Sequence, residues 1–255
     1  MSKTSTTCLQ IRNAGLTYRS SRGETPALKE ITFDAKHGEF LTVIGPSGCG
    51  KSTLLKIIGG LLHPTHGEVL VEGEPAVSAR KKAKFGFVFQ NPVLLPWRTT
   101  LDNACLPLEI LQRSDGDDEA RKFLKLVGLD GFEDRYPREL SGGMQQRVAI
   151  ARALVFDPEI LLMDEPFGAL DEMTRDRMNI DLLRIWSETG KTVIFVTHSI
   201  PEAIFLASRV IVLSQRPATV DTIIDVDLPY PRNRLTRENP TFSSLIREGR
   251  ACLGA

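Results

Sequence analysis

No run of about 18 apolar residues occurs anywhere in the 255 residues, so no segment is expected to span a membrane. The first eight residues, M-S-K-T-S-T-T-C, lack the apolar stretch of a secretory signal, and none is expected. Net charge is missing as well: Lys+Arg and Asp+Glu are both 32. A nucleic-acid partner favours a basic surface, so the balance gives no support to one, and none is expected. Cysteine is scarce. The four, Cys8, Cys49, Cys105 and Cys252, lie far apart and form no C-x-x-C pair. They read as free thiols of a reducing cytosol. What remains is an ordinary globular composition, 42% hydrophobic, long enough for one α/β domain or two small ones around a large core.

The richest stretch runs from Glu39 to Ile58, E-F-L-T-V-I-G-P-S-G-C-G-K-S-T-L-L-K-I-I. Phe40 to Ile44 is short, apolar and β-branched, which predicts a buried strand. Gly45 to Ser52 fits G-x-x-x-x-G-K-[ST], and Ser52 to Ile58 has helical apolar spacing. Strand, glycine loop and helix are the context that makes this phosphate-binding pattern credible. Gly45, Gly48 and Gly50 let the backbone turn tightly and aim several N–H groups at one anion. The helix adds the positive end of its dipole. Lys51 places a charge against the β- and γ-phosphates, and Ser52 offers Mg²⁺ an oxygen ligand. Cys49 lies between two glycines of this loop. A bulky adduct on its thiol is expected to occupy the space of the phosphates.

Upstream, Leu9–Tyr18 and Ala27–Phe33 read as strands. Tyr18 before its polar loop is either a ring on which adenine stacks or a strand-end core residue. Downstream, Glu68–Glu72 is a strand reached through the turn containing His63, Pro64 and His66. Two histidines with no third ligand nearby do not make a metal site. Lys81, Lys82 and Lys84 read as a solvated loop face. Phe85–Phe89 is a strand delivering Gln90. The loop after it, with Pro92 and Pro96 around Leu94 and Leu95, carries Trp97, which is either core or a contact for another protein. Leu101–Leu111 and Asp117–Val127 read as helices around a polar loop, Arg113–Asp118. Ala120, Phe123, Leu124 and Val127 share a face, and Gly128 suits the helix end. This region has helical signals and no strand signals, so it is expected to be a helical insertion.

Ser141 is a good helix cap, and L-S-G-G-M-Q-Q-R is expected to lead into a helix over Val148–Val155. It is a second candidate anion site. Glu159–Met163 is an apolar strand feeding Asp164 and Glu165. The first acid suits Mg²⁺, held through water, and the second suits orienting or deprotonating an attacking water. Glu172–Glu188 is a helix with Met178, Leu182, Ile185 and Trp186 on one face, ended by Gly190. Thr192–Thr197 is a strand expected beside the acid-bearing one, which would point His198 at the phosphates. Val210–Leu213 is a further strand, Val220–Leu228 is expected to be a strand pair, and Asn239-Pro240 caps a short terminal helix.

Gly45–Thr53, Gln90, Leu140–Arg147, Ile160–Glu165, Ala169-Leu170-Asp171 and His198 occur in the order found in ATP-binding cassette (ABC) ATPases. The sequence resembles that family from about Leu9 to Leu213, and the S-G-G-M-Q-Q-R string is its most specific mark. The resemblance implies an α/β P-loop NTPase core with an N-terminal antiparallel β subdomain and a helical insertion over about 92–157. The ATPase domain would fill 1–235, with a C-terminal helical tail over 236–255. It implies ATP and Mg²⁺ as ligands. Gly45, Pro46, Ser47, Gly48, Cys49, Gly50, Lys51, Ser52 and Thr53 would hold the nucleotide with Tyr18, which matches the adenine-stacking position. Ser52, Gln90 and Asp164 would attend the metal. Glu165, Gln90 and His198 would carry the chemistry, and Asp171 matches the family's D-loop aspartate. Serine is common where this chain has Gly168, with little consequence expected. Two cassettes of the family pair head to tail, so Ser141, Gly142 and Gly143 of a second copy would close on the γ-phosphate.

A narrower resemblance is to ATPases of nitrate, sulfonate and taurine importers. It rests on Leu94–Asn103, His198–Ala203 and Asp225–Pro229. It implies a peripheral subunit on the cytoplasmic face of a membrane, docked on a permease and served indirectly by a solute-binding protein. Exporter or lipid-machinery ATPases remain an alternative, opposed only by the Leu94–Asn103 string. ABC ATPases of DNA repair or translation are the alternative of another class. They usually carry long coiled-coil insertions or two cassettes, whereas this chain has one motif set and no long heptad run.

Overall fold

The computed structural model describes residues 6–21, 23–113 and 115–254. The readings that touch residues 1–5, Ser114 in the polar loop and Ala255 in the tail lie outside these. In chain order, β1 (Thr7–Ser20) and β2 (Gly23–Lys36) form a hairpin, and β3 (Phe40–Ile44) leads into α1 (Lys51–Ile58). β4 (His66–Val71) and the two-residue β5 (Glu74–Pro75) precede α2 (Ala76–Lys81) and β6 (Phe85–Val88). α3 (Thr100–Ile110), α4 (Gly116–Leu126) and α5 (Gly142–Leu154) follow with no strand between them among the described residues. The chain closes with β7 (Ile160–Asp164), α6 (Glu172–Thr189), β8 (Thr192–Val196), α7 (Ile200–Leu206), β9 (Arg209–Leu213), β10 (Val220–Asp225) and α8 (Pro240–Leu253).

Two sheets result. One is antiparallel in the order β2-β1-β4-β5. The other has the order β10-β9-β3-β8-β7-β6 and is parallel except for β10. Alternating side chains of the parallel strands leave opposite faces, and each face has its own core. Phe40, Met163, Val193, Phe195, Val210 and Val212 pack with α3, α4, α5 and the C-terminal elements. Leu41, Val43, Leu162, Ile194, Val196 and Ile211 pack with α1 and the antiparallel sheet. Both faces of these strands are therefore apolar, which is why they read as unbroken hydrophobic runs.

Several expectations are corrected. α5 starts at Gly142, so S-G-G-M-Q-Q-R forms its cap and opening turns instead of a lead-in. Ser141 has extended backbone, and its hydroxyl accepts the Met144 N–H at 3.3 Å. Val220–Leu228 holds one strand, not a pair, because the chain leaves the sheet edge after Asp225 to run past the end of α7. There Arg232 donates to the carbonyls of Ile204, Phe205 and Ala207 at 2.9 to 3.0 Å. The terminal helix is not short: α8 has 14 residues, with Phe242 and Leu245 buried in the first core. Lys84 is no solvated loop residue either, since its ammonium bridges Glu72 and Glu159, the latter at 3.1 Å. His66 lays its ring on Gly15, where a Cβ would come within 2.0 Å of it.

Candidate nucleotide site

β3 ends at Ile44, and the chain turns through Gly45–Gly50 before α1 begins. Gly48 has φ 72° and Gly50 φ 127°, a region that residues with a side chain rarely enter. Gly50 also meets β2 closely: a Cβ there would stand 2.9 Å from Leu28 Cδ2. The first-turn N–H groups of α1 have no acceptor within the helix and lie at its positive end. Lys51 is buried, and its Nζ donates to the carbonyls of Gly45 at 2.9 Å and Pro46 at 3.1 Å. A buried ammonium held by two neutral carbonyls suits an anion.

Ser52 donates its hydroxyl to Asp164 Oδ1 at 3.0 Å, across from α1 to the end of β7. Burial pushes the Asp164 carboxyl above its ordinary value against the opposing Ser52 hydrogen bond. A hydroxyl and an under-compensated carboxylate at one point are oxygen donors of the kind Mg²⁺ selects, so this pair fits the metal. Glu165 follows with φ 46°, a conformation uncommon for residues other than glycine. Its backbone N–H donates to Val196 of the neighbouring strand at 2.9 Å, and its Oε2 lies 3.0 Å from His198 Nδ1. β6, β7 and β8 are parallel neighbours, so Gln90, Glu165 and His198 all leave carboxyl ends of adjacent strands, where open α/β sheets bind ligands. Gly168 lies between Gln90 and Glu165. A Cβ there would come to 3.3 Å from Gln90 Nε2 and 3.3 Å from the Glu165 carbonyl, so a serine would press on both.

Tyr18 is 41% exposed at the end of β1, its hydroxyl 3.1 Å from Thr53 Oγ1. It is a surface ring beside the loop, not a strand-end core residue. Cys49 corrects another expectation. Its thiol is buried in the second core, and burial raises its pKa. Its backbone N–H turns back to the Pro46 carbonyl at 3.3 Å, and an adduct on the thiol would meet the core first. Ser141, Gly142 and Gly143 stand apart from the Gly45–Thr53 loop. Their neighbours are Met144, Leu170 and Thr174. Asp171 caps α6 by accepting the Thr174 N–H at 3.0 Å.

Three residues that sequence reasoning did not single out hold the loop after Gln90. Buried Gln146 of α5 donates to the Phe89 carbonyl at 3.1 Å. Arg152 of α5 donates to Pro92 at 2.6 Å and Val93 at 2.9 Å. Asn103 of α3, fully buried, accepts the Leu95 N–H at 2.7 Å and donates to the carbonyls of Leu95, Arg98 and Thr99. The one available signal was Asn103 at a position shared with the apolar Leu101, Ala104, Cys105 and Leu108 of its helix. Above these anchors Val93 and Trp97 are 62% and 71% exposed, so Trp97 is not core, while Leu94 tucks against the insertion.

A phosphate-binding strand–loop–helix facing an acid-tipped strand, inside a parallel sheet flanked by an antiparallel one, defines a P-loop nucleotide-hydrolysing enzyme of the cassette type. Comparison with known proteins narrows this. The ABC transporter family profile matches residues 28–168, more than half of the chain, and the chain belongs to that family. It is 49% identical over 232 residues to the uncharacterized ABC transporter ATP-binding protein MJ0412 of Methanocaldococcus jannaschii, covering 90% of this chain and 86% of that protein. It is 47% identical over 217 residues to the aliphatic sulfonates import ATP-binding protein SsuB of Bacillus cereus, covering 85% of each. Among solved structures, the dimeric post-hydrolysis state of the ATP-binding cassette MJ0796 with ADP and Pi superposes with a TM-score of 0.75. That match has 36% identity and covers 87% of this chain and 100% of that one. The protein is an ABC ATPase that binds and hydrolyses ATP.

Proposed function

We propose that this ATPase is the energy-coupling subunit of an importer for a small oxyanionic or related solute, of the sulfonate, nitrate or taurine class. The observation that carries the reading is the loop 91–98. It starts next to Gln90 at the nucleotide site, is fixed to α3 by buried Asn103 and to α5 by half-buried Arg152, and presents Val93 and Trp97 to solvent. Such a surface fits a helix of a membrane-embedded permease. The identity to the sulfonate importer subunit supports the solute class. The dimer of the related cassette supports pairing of two copies, head to tail in this reading. No helix among the described residues is long and apolar enough to cross a membrane, which agrees with a subunit that reaches it through a permease on the cytoplasmic face.

In this reading Lys51 and the N–H groups of the Gly45–Thr53 loop hold the phosphates, and Tyr18 stacks on adenine. Ser52, Asp164 and Gln90 would hold Mg²⁺, which supplies charge neutralisation on the phosphate oxygens. Glu165 orients the attacking water, and His198 fixes its carboxylate. Ser141, Gly142 and Gly143 of the second copy complete the site. The test is co-expression with candidate multi-span permeases of that importer class, followed by pull-down and ATPase assay. Assembly, with turnover raised by a solute-loaded binding protein, is the expected result. Failure to assemble with any permease while ATPase activity persists would overturn the transport reading. Assembly without response to taurine, an alkanesulfonate or nitrate would overturn the solute class.

A further inference from the structure

His198 sits in a very short connection: only Thr197, His198 and Ser199 separate β8 from α7. Its own ring is more than half exposed and touches the site through Glu165 alone among its hydrogen bonds here. The turn that carries it, however, is tied to one buried acid. Thr197 Oγ1 donates to Glu202 Oε2 at 2.5 Å and accepts the Ser199 N–H at 3.0 Å. Ser199 Oγ in turn accepts the Glu202 N–H at 3.4 Å. Both neighbours of His198 are thus fastened to Glu202, which is 6% exposed.

The other side of that carboxyl is unusual. Glu202 Oε1 and Asn179 Oδ1 of α6 are both buried without a hydrogen-bond partner, and the Asn179 side chain is within bonding reach of the carboxyl. A buried oxygen without a partner is costly, and a proton on Oε1, offered to Asn179 Oδ1, gives both a partner. The charged groups around the carboxyl do not offer an ion pair instead. Arg175 of α6 donates to the carbonyls of Phe167 at 3.3 Å and Leu170 at 2.9 Å. Arg237, before α8, pairs with Asp176 at 2.7 Å. Glu172 and His198 are the remaining titratable neighbours, and α8 presents Gly249 to Ile200. Burial holds the Glu202 carboxyl above the usual range despite Thr197, Arg175, Asn179 and His198.

We propose that Glu202, as a neutral carboxylic acid bridging Thr197 and Asn179, is a positioning residue that sets His198 on Glu165. The acid anchors the turn to α6 without placing a second negative charge behind the one that works on the nucleotide. This rests on the role given above to His198, and the test separates the two. ATPase kcat and KM are measured for Glu202→Ala, Glu202→Gln and His198→Ala, and for Glu202→Ala in the His198→Ala background. Melting curves accompany them.

Glu202→Ala is expected to lower kcat roughly tenfold or more with KM for ATP little changed, the signature of a misplaced group. Glu202→Gln, which keeps the neutral bridge, recovers most of that loss. In the His198→Ala background, Glu202→Ala adds no further loss of kcat, because the two act as a unit. Normal kcat in Glu202→Ala overturns the proposal, as does Glu202→Gln matching the alanine variant. An undiminished further loss in the His198→Ala background overturns it too, whatever the melting temperatures. If His198→Ala alone leaves kcat unchanged, the role of His198 fails first and is identified as the failure.

Discussion

Replacing Asn103 with alanine is the sharpest test of how the loop after Gln90 is held. The side chain is fully buried: its Oδ1 accepts one hydrogen bond, and its two amide hydrogens are shared among three carbonyls. The Thr99 carbonyl keeps the Asn103 backbone N–H at 3.0 Å, so it is not orphaned by the substitution. The Leu95 carbonyl likewise keeps the Arg98 backbone N–H at 3.1 Å, so the Leu95 N–H and the Arg98 carbonyl are the groups that lose their partner. A buried group left without one costs about 1–3 kcal/mol, and these two sit in a half-buried loop that water reaches in part, so about 2 kcal/mol in all is the working figure. For a domain of this size that corresponds to a fall in melting temperature of roughly 4–8 °C. Because Asn103 touches nothing in the Gly45–Thr53 loop, ATP affinity should stay near normal once the variant is folded. Differential scanning calorimetry with a nucleotide titration reads both quantities. A fall of under about 2 °C would refute the anchoring, since surface-like changes lie in that range. Lost ATP affinity at unchanged stability would show that the residue acts on the site directly.

Glu165→Gln keeps shape and removes the carboxylate, so ATP binding should persist while turnover drops by roughly 10²–10⁴, read from single-turnover kinetics. Lys51→Ala should instead weaken binding itself, as measured by nucleotide titration. Trp97→Ala removes an exposed ring, so the melting temperature should move by no more than about 2 °C while permease pull-down is lost. A large stability loss with normal pull-down would place Trp97 in a core role. Among the thiols, half-buried Cys252 should react with maleimide first. Cys49, buried with its thiol pKa raised by burial, should react far more slowly, and so should Cys8 and Cys105, pushed up to about 11 and about 12. Peptide mapping of Cys49 modified ahead of Cys252 would contradict the burial argument.

The sequence was most legible where physics left one choice. Strands buried on both faces gave continuous apolar runs, so β3, β7 and β8 were bounded to within a residue or two. Their polar ends, Gly45, Asp164 with Glu165, and His198, had to emerge at one edge of the sheet. Elements with mixed signals were less readable. α7 is buried almost throughout, which erases a helical stripe, and Pro201 in its first turn looks like a breaker although proline is tolerated there. The two glycines hid the true start of α5. Gln146 and Arg152 were invisible for another reason. Their partners are backbone carbonyls of Phe89, Pro92 and Val93, far away in the chain and without a side chain to announce them. The burial of the Cys49 thiol, close against Gly45, is likewise a matter of packing that spacing alone cannot reveal.

The three anchors of the loop 89–98 also bear on the entropy of association. An apolar loop that is free in solution must be ordered when it docks, at about 0.5–1.5 kcal/mol for each immobilised rotamer-rich side chain, besides its backbone. Here Gln146, Arg152 and Asn103 have already fixed the backbone from Phe89 to Thr99, so that ordering was completed when the chain folded. Docking then has only exposed rings and side-chain tips to immobilise. The same stiffness makes the loop a poor shock absorber. A push on Trp97 is passed to α3 and α5 together, and through Gln146 to the strand end that carries Gln90, instead of being dissipated in loop motion.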